Sequence, residues 1–179
     1  MYYKKVEGER IYLSPMCMED AEKYTKWMND FKVTDGINNS RNVINLESEK
    51  KWIEENSKYG NYNFSIVKKD NDELIGNCSF HDLDKIWGNA TVGIFIGEEE
   101  NRCKGYGTEA LKLLISYGFD YLNLNNIMLS VYSFNETAIN CYKKVGFKEI
   151  GKRRNSVMIK NKRYDIIYMD IIREEYYKE

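Results

Sequence analysis

The sequence predicts an α/β protein built on a mixed, largely antiparallel sheet flanked by helices, and three observations carry this expectation. Strand-like runs follow one another between Phe64 and Ile96 with short polar turns between them, the pattern of an antiparallel meander. From Thr108 the stripe Leu111, Leu114, Ile115, Gly118 and Leu122 keeps helical spacing for longer than a strand allows. The mostly apolar run from Ile127 to Tyr132 comes after that full helix, so it is expected to lie parallel to the last meander strand, giving a β-loop-α-β unit.

The elements follow in order. Glu9-Arg10-Ile11-Tyr12-Leu13 alternates as a short strand, and Ala21, Tyr24, Trp27 and Met28 mark one face of an amphipathic helix. After a polar stretch from Gly36 to Ser40, Asn45 can cap a second helix that closes near Gly60. Its pattern turns Trp52 and Ile53 inward and Glu49, Lys50, Glu54 and Glu55 outward. The meander is Phe64 to Val67, a turn at Lys69-Asp70-Asn71-Asp72, Leu74 to Leu83, a turn near Gly88-Asn89, and Thr91 to Ile96. A later helix from Asn135 to Val145 stops at Gly146, a residue type suited to a C-cap. The last two strands, from Phe147 toward Ile159 and from Tyr164 to Ile172, form a hairpin about Lys160-Asn161-Lys162.

No repeat and no linker-like stretch interrupts the 179 residues, so one domain spanning 1–179 is expected. With 27 Lys and Arg against 28 Asp and Glu, the net charge of −1 offers no global attraction for nucleic acid or an acidic membrane. An aromatic share of 14 % argues for a packed core and against disorder. Neither a membrane-spanning apolar run nor the apolar stretch of a secretory signal is visible, so the expected location is the cytoplasm. Cys17, Cys78, Cys103 and Cys141 lack Cys-x-x-Cys spacing and read as reduced thiols. A metal site is not expected, and the single imidazole, His81, has neither the spacing of a zinc ligand set nor a nearby nucleophile elbow.

The informative stretch is Arg102-Cys103-Lys104-Gly105-Tyr106-Gly107-Thr108, between a strand and a helix. Two glycines let successive N–H groups converge, and a helix start adds the positive end of its dipole, which together suit phosphate oxygens. Taken alone, the stretch is equally a Gly-rich turn that reverses the chain. Gly105-x-Gly107-x-x-Ala110 satisfies the loose dinucleotide fingerprint, but Glu98 to Lys104 separate it from the strand, and Ser133 stands where an acidic residue should end the next strand. The string Gly-x-x-x-x-Gly-Lys-Ser/Thr of a nucleotide-triphosphate loop is absent. An Arg-x-x-Gly-x-Gly loop remains.

That loop resembles the pyrophosphate loop of the GNAT superfamily of N-acetyltransferases, which reads Gln/Arg-x-x-Gly-x-Gly/Ala at the start of a central helix. Asn135 to Phe147 is similar to the same family's Asn-x-x-Ala-x-x-x-Tyr-x-x-x-Gly-Phe signature, at the expected separation. The start, Gly8-Glu9-Arg10-Ile11-Tyr12-Leu13-Ser14-Pro15 followed by Glu19-Asp20-Ala21-Glu22, resembles the RimJ/RimL branch. The likeness runs from about Gly8 to Tyr176. Cys103 departs from it, standing where many relatives have Gly, and a side chain there crowds a pyrophosphate if the position takes positive φ. Thr91 and Val92 occupy the region where many members of the branch carry an acidic residue.

The resemblance implies acetyl-CoA as cofactor and an amine substrate, either a small molecule or a protein N-terminus. Pantetheine would pair with the backbone at Ile94, Phe95 and Ile96. The pyrophosphate would sit on Arg102, Cys103, Lys104, Gly105, Tyr106, Gly107 and Thr108, with further cofactor contacts at Asn135 and Ala138. Tyr142 corresponds to the family's general acid, the amine attacks the thioester directly, and a main-chain N–H of the Ile94 to Ile96 strand polarises the acetyl oxygen. Spermidine-type polyamines and amino sugars are compatible with the same scaffold. No base is named from sequence, Glu98, Glu99, Glu100, Asp82 and Asp84 being the carboxylates in reach of consideration. A function of another class, nucleic-acid or ribosome binding, would use Lys152, Arg153, Arg154, Lys160, Lys162 and Arg163 of the final hairpin, although such charge commonly serves solvation. Neither a membrane nor a nucleic-acid partner is expected, and a homodimer is left open.

Overall fold

A computed structural model describes residues 1–178. In it eight strands form one mixed sheet in the order β1-β2-β3-β4-β5-β6-β8-β7. The strands are β1 (Val6–Glu7), β2 (Ile11–Pro15), β3 (Tyr62–Lys68), β4 (Leu74–Asp84), β5 (Asn89–Ile96), β6 (Asn126–Tyr132), β7 (Lys148–Ile159) and β8 (Lys162–Ile172). The helices are α1 (Ala21–Met28), α2 (Phe31–Thr34), α3 (Leu46–Asn56), α4 (Tyr106–Tyr121), α5 (Glu136–Val145) and α6 (Arg173–Tyr176). β1 to β4 pair antiparallel in sequence, β8 pairs antiparallel with both β6 and β7, and β5 pairs parallel with β6 from Asn89/Asn126 to Thr91/Met128. The mixed sheet, the β5-α4-β6 crossover and the final hairpin are as the sequence predicts.

The chain divides into two compact units, Met1–Phe80 with Ile94–Leu114, and His81–Gly93 with Ile115–Glu179. In the first, α1 and α3 cover a core of Tyr12, Tyr24, Trp27, Ile53, Val67 and Leu74, each nearly or fully buried. Burial of side chains of this size contributes roughly 1.5–3 kcal/mol apiece. The rings of Tyr24, Trp27 and Phe95 meet edge to face at centroid distances of 5.5 to 6.3 Å. In the second unit, Phe119, Ile127, Leu129, Val145, Phe147, Met169 and Ile171 form the core. Here Gly146 takes the left-handed conformation (φ +109°) that ends α5, so its N–H satisfies the carbonyls of Tyr142 and Lys143.

Local chemistry explains most boundaries. Asn45 caps α3 with a reciprocal pair, its Oδ1 accepting from Ser48 N (2.8 Å) while Ser48 Oγ accepts from Asn45 N (3.1 Å). α4 begins at Tyr106, two residues before the expected start at Thr108, because the Gly105 carbonyl already accepts the Glu109 N–H at 3.0 Å. α3 stops at Asn56 rather than near Gly60, where Ser57 turns out of the helix. β1 and α2 lack a sequence signal, being two and four residues long.

One expectation is overturned. Glu49 does not face out: it is 4 % exposed, whereas Trp52, expected inside, is 36 % exposed. The inward stripe of α3 is therefore Glu49 with Ile53, four residues on, and Trp52 lies at its margin with its ring 6.3 Å from that of Tyr24.

Candidate functional site

In the first unit the site is built around the turn that joins β5 to α4. Gly97 follows β5, and its N–H donates to Ile75 O at 2.9 Å. The Trp27 ring packs so closely on Gly97 that a Cβ there would lie 2.0 Å from Trp27 Cε2. A single 3-10 turn, Glu99–Asn101, then carries the chain to Arg102. The Arg102 guanidinium donates to three carbonyls, Ile96 O (3.1 Å), Gly97 O (2.6 Å) and Lys32 O (3.1 Å), and its main-chain N–H donates to Glu99 O. Arg102 thus holds the turn against the end of β5 and α2, a positioning task that the motif alone does not reveal.

Beyond Arg102 the backbone curls. Cys103 (φ +57°) and Gly105 (φ +86°) are both left-handed, with Lys104 between them. Such alternation turns successive amides toward a common side, the geometry of an anion-binding nest. Among the described residues the main-chain N–H groups of Cys103, Lys104, Gly105, Tyr106 and Gly107 donate to no protein acceptor, and Cys103, Lys104 and Gly105 are exposed. Unsatisfied donors at the first turn of a 16-residue helix are a ready site for phosphate oxygens. The Lys104 side chain makes no ion pair among the described residues, so its charge is available to such an anion.

A brace from β2 fixes this curl. Arg10 donates from Nη1 to Lys104 O (2.9 Å) and from Nε to Glu109 Oε2 (3.0 Å), and its guanidinium lies 4.9 Å from the Tyr106 ring centroid. Glu109 Oε1 also accepts from Arg10 N (2.8 Å) and Ile11 N (3.3 Å). Burial works to raise the Glu109 carboxyl, but these donors outweigh it and hold the group below the ordinary carboxylate range. Neither residue belongs to the loop motif, and 99 positions separate them.

Ile94, Phe95 and Ile96 form the last part of β5, beyond Thr91, where its pairing with β6 ends. Phe95 stacks into the Tyr24 and Trp27 cluster, and Ile96 Cγ1 lies 3.8 Å from where a Cβ of Gly107 would stand, so strand and helix start are in close contact.

In the second unit, Asn135 precedes α5. Its Oδ1 accepts from Ala138 N (3.2 Å), so the residue is the helix N-cap, with its amide NH2 still able to donate. Tyr142 lies two turns further along the same face, partly buried, its ring 5.9 Å from that of Phe147. Burial pushes its hydroxyl above the ordinary tyrosine range. Among the described residues the hydroxyl has no hydrogen-bond partner.

The model of the acetyltransferase (GNAT) domain matches residues 10–148. The chain belongs to the GNAT acetyltransferase family. It is 33 % identical to the uncharacterized N-acetyltransferase p20 of Bacillus licheniformis, over 94 % of this chain and 96 % of that one. It is 31 % identical to the putative ribosomal N-acetyltransferase YdaF of Bacillus subtilis, over 58 % and 56 % respectively. Among solved structures it superposes on spermidine N-acetyltransferase from Vibrio cholerae in complex with CoA and spermine with a TM-score of 0.85 at 20 % identity, covering 94 % of this chain and 99 % of that one. The protein is an acyltransferase, and GNAT enzymes use acetyl-CoA and act on amines.

In this GNAT enzyme three of the five carboxylates considered as bases from sequence, Glu98, Glu99 and Asp84, have other partners. Burial opposes ionisation of Glu98, but its ion pair with Lys26 (3.1 Å) outweighs that and lowers its pKa, and the hydrogen bond from Lys32 (2.6 Å) lowers that of Glu99. Asp84 accepts from the main-chain N–H groups of Ile86 (2.8 Å) and Trp87 (3.1 Å), which shapes the β4–β5 turn. Cys103 carries a side chain in a left-handed conformation, which costs a non-glycine residue about 1–2 kcal/mol. Cys103→Gly is accordingly expected to stabilise the GNAT domain by up to about 1 kcal/mol after the extra entropy lost by glycine, read as a Tm rise of about 2–4 °C. A fall in Tm would show that no strain resides there.

Proposed function

We propose that the chain is a single acetyltransferase domain spanning 1–179 that transfers the acetyl group of acetyl-CoA to a primary amine, in the manner of the RimJ/RimL branch. The observation that carries this reading is the run of undonated amides from Cys103 to Gly107 at the α4 N-terminus, which contains the two left-handed residues Cys103 and Gly105. The partial likeness to the putative ribosomal N-acetyltransferase YdaF supports the branch, and the fold shared with a spermidine N-acetyltransferase supports an amine acceptor.

When bound, acetyl-CoA supplies an activated thioester. Cys103 to Thr108 would bind its pyrophosphate through main-chain N–H groups, with Lys104 adding charge and Arg102 holding the turn in place. Ile94, Phe95 and Ile96 would orient the pantetheine arm by strand-like hydrogen bonds and direct a main-chain N–H at the acetyl oxygen. Asn135 would donate from its free NH2, and Ala138 would pack beside it. Tyr142, kept protonated by its burial, would donate its hydroxyl proton in a hydrogen bond to the departing sulfur. Positioning of this kind is worth up to ~7–11 kcal/mol in the best intramolecular cases, so no covalent step on the protein is needed.

The experiment is a thermal-shift titration with acetyl-CoA, followed by a CoA-release assay against polyamines, amino sugars and peptide N-termini. Acetyl-CoA at 100 times its Kd should stabilise the protein by about 2.7 kcal/mol, and at least one amine should release CoA. If acetyl-CoA gives no shift while a nucleic acid of about 20 nucleotides binds with steep salt dependence, the basic hairpin is the functional surface and the proposal fails.

A further inference from the structure

The net charge of −1 conceals an uneven distribution. Residues 143–163 hold nine of the 27 Lys and Arg but a single carboxylate, Glu149, a net +8, while the other 158 residues carry −9. The segment runs from the last turn of α5 through β7 to the start of β8, all within the second unit. Its cationic side chains are exposed throughout. Lys148 pairs with Glu175 and Lys152 approaches Asp165 at 3.8 Å, but Lys143, Lys144, Arg153, Arg154, Lys162 and Arg163 make no ion pair among the described residues. Solubility does not require this. Charges of mixed sign keep a surface soluble, and acidic groups do so better than basic ones. Clustered like charges repel, so a strip of one sign costs stability unless something anionic meets it.

The geometry narrows the partner. β6 pairs with β8 only as far as Tyr132/Ile166, whereas β7 and β8 stay paired to Ile159/Lys162. The end of the hairpin therefore continues past β6 as a two-stranded ribbon, and it carries Lys160, Lys162 and Arg163. Lys152 and Arg153 stand opposite Ile167 and Ile166, so cations leave both faces of β7. A flat membrane would meet only one of those faces. An acidic peptide adding along β7 as a further strand needs a regular edge, and this edge is interrupted between Glu149 and Gly151 and again between Arg153 and Val157. A grooved polyanion suits both features, because a duplex groove admits a two-stranded ribbon and has phosphates on either side of it. The 12 residues of β7 extend about 35–40 Å, close to the ~34 Å of one duplex turn.

We infer that the β7–β8 hairpin is a docking surface for the phosphate backbone of a duplex nucleic acid. Contacts of this kind position a duplex without reading its sequence. The docking does not depend on the acetyl-transfer reading above.

The test titrates the full chain into fluorescein-labelled DNA and RNA duplexes of mixed sequence, about 20 base pairs long, reading anisotropy between about 50 and 200 mM salt. Binding is expected with a Kd of about 1–100 μM near physiological salt and a log–log salt slope of about −4 to −5, the value for about five neutralised phosphates. The tighter of the two duplexes identifies the source. Arg153→Gln, Arg154→Gln and Lys162→Gln made together should weaken binding at least ~30-fold and flatten the slope by about 2 to 3. Lys51→Gln, Lys58→Gln and Lys85→Gln make the same charge change at exposed positions elsewhere and should alter Kd by less than about threefold. Melting curves verify that both variants fold. Equal losses in the two variants, a slope flatter than about −2, no binding by wild type, or tighter capture by vesicles of anionic phospholipid than by either duplex overturns the inference. Stabilisation by acetyl-CoA is read apart from this, so failure of one reading leaves the other standing.

Discussion

Tyr142→Phe is expected to lower kcat by at least about 100-fold, the lower end of what a positioned proton donor contributes. Acetyl-CoA affinity should stay nearly unchanged. The exchange removes one oxygen from a ring that packs on Phe147, and among the described residues that oxygen bonds nothing in the protein. Stability should therefore change little. A free phenol, with a pKa of ~10, is already a weaker acid than a thiol at ~8.5, and burial widens that gap. The hydroxyl accordingly works by donating a hydrogen bond to the leaving sulfur rather than by early proton release, and activity should persist to high pH without a falling limb from Tyr142. Steady-state CoA release alongside calorimetric titration of acetyl-CoA separates the outcomes, and equal losses in kcat and affinity would mark Tyr142 as structural.

The second large effect is expected at Gly76 in β4. A Cβ there would stand 2.2 Å from Phe95 O and 3.1 Å from Ile96 Cα. Both are main-chain atoms, which cannot rotate aside as a flexible side chain would. Gly76→Ala must therefore push the end of β5 away, straining the Gly97 N–H to Ile75 O bond beside it. A loss of about 3 kcal/mol or more is expected, at or beyond the upper end of overpacking costs, which corresponds to a Tm drop of about 6–12 °C. Acetyl-CoA affinity should fall with it, because the displaced residues include Phe95 and Ile96. Thermal melts with and without acetyl-CoA check both parts, and a Tm within a degree of wild type would refute the close approach.

Much of the molecule was legible because its periodicities are local. The meander announces itself by alternation, α4 by a stripe that outlasts any strand, and α5 by the Asn135 cap and the Gly146 stop. The loop was legible as a motif, but its mechanics were not. Arg10 and Glu109 meet across 99 positions, a distance at which no spacing rule operates, and the motif does not announce the three carbonyls to which the Arg102 guanidinium donates. Glu49 was misplaced for a different reason. Charge pattern assigns carboxylates to the wet side of a helix, whereas the seat of α3 on α1 rotates the stripe by about one residue and leaves the bulkier Trp52 at the margin.

The two ends of the sheet bear on behaviour at high concentration. An unpaired border of backbone donors and acceptors is a template on which another polypeptide can add itself, and fibres begin there. On one side the border is β1, too brief to hold a register with a newcomer. On the other it is β7, whose ladder with β8 is broken by irregularities between Glu149 and Gly151 and between Arg153 and Val157, and which carries Lys148, Lys152, Arg153 and Arg154 on exposed positions. With Lys148 and Lys152 paired to Glu175 and Asp165, it is exposed Arg153 and Arg154 and the uneven outline that discourage the stacking of a second copy on this border.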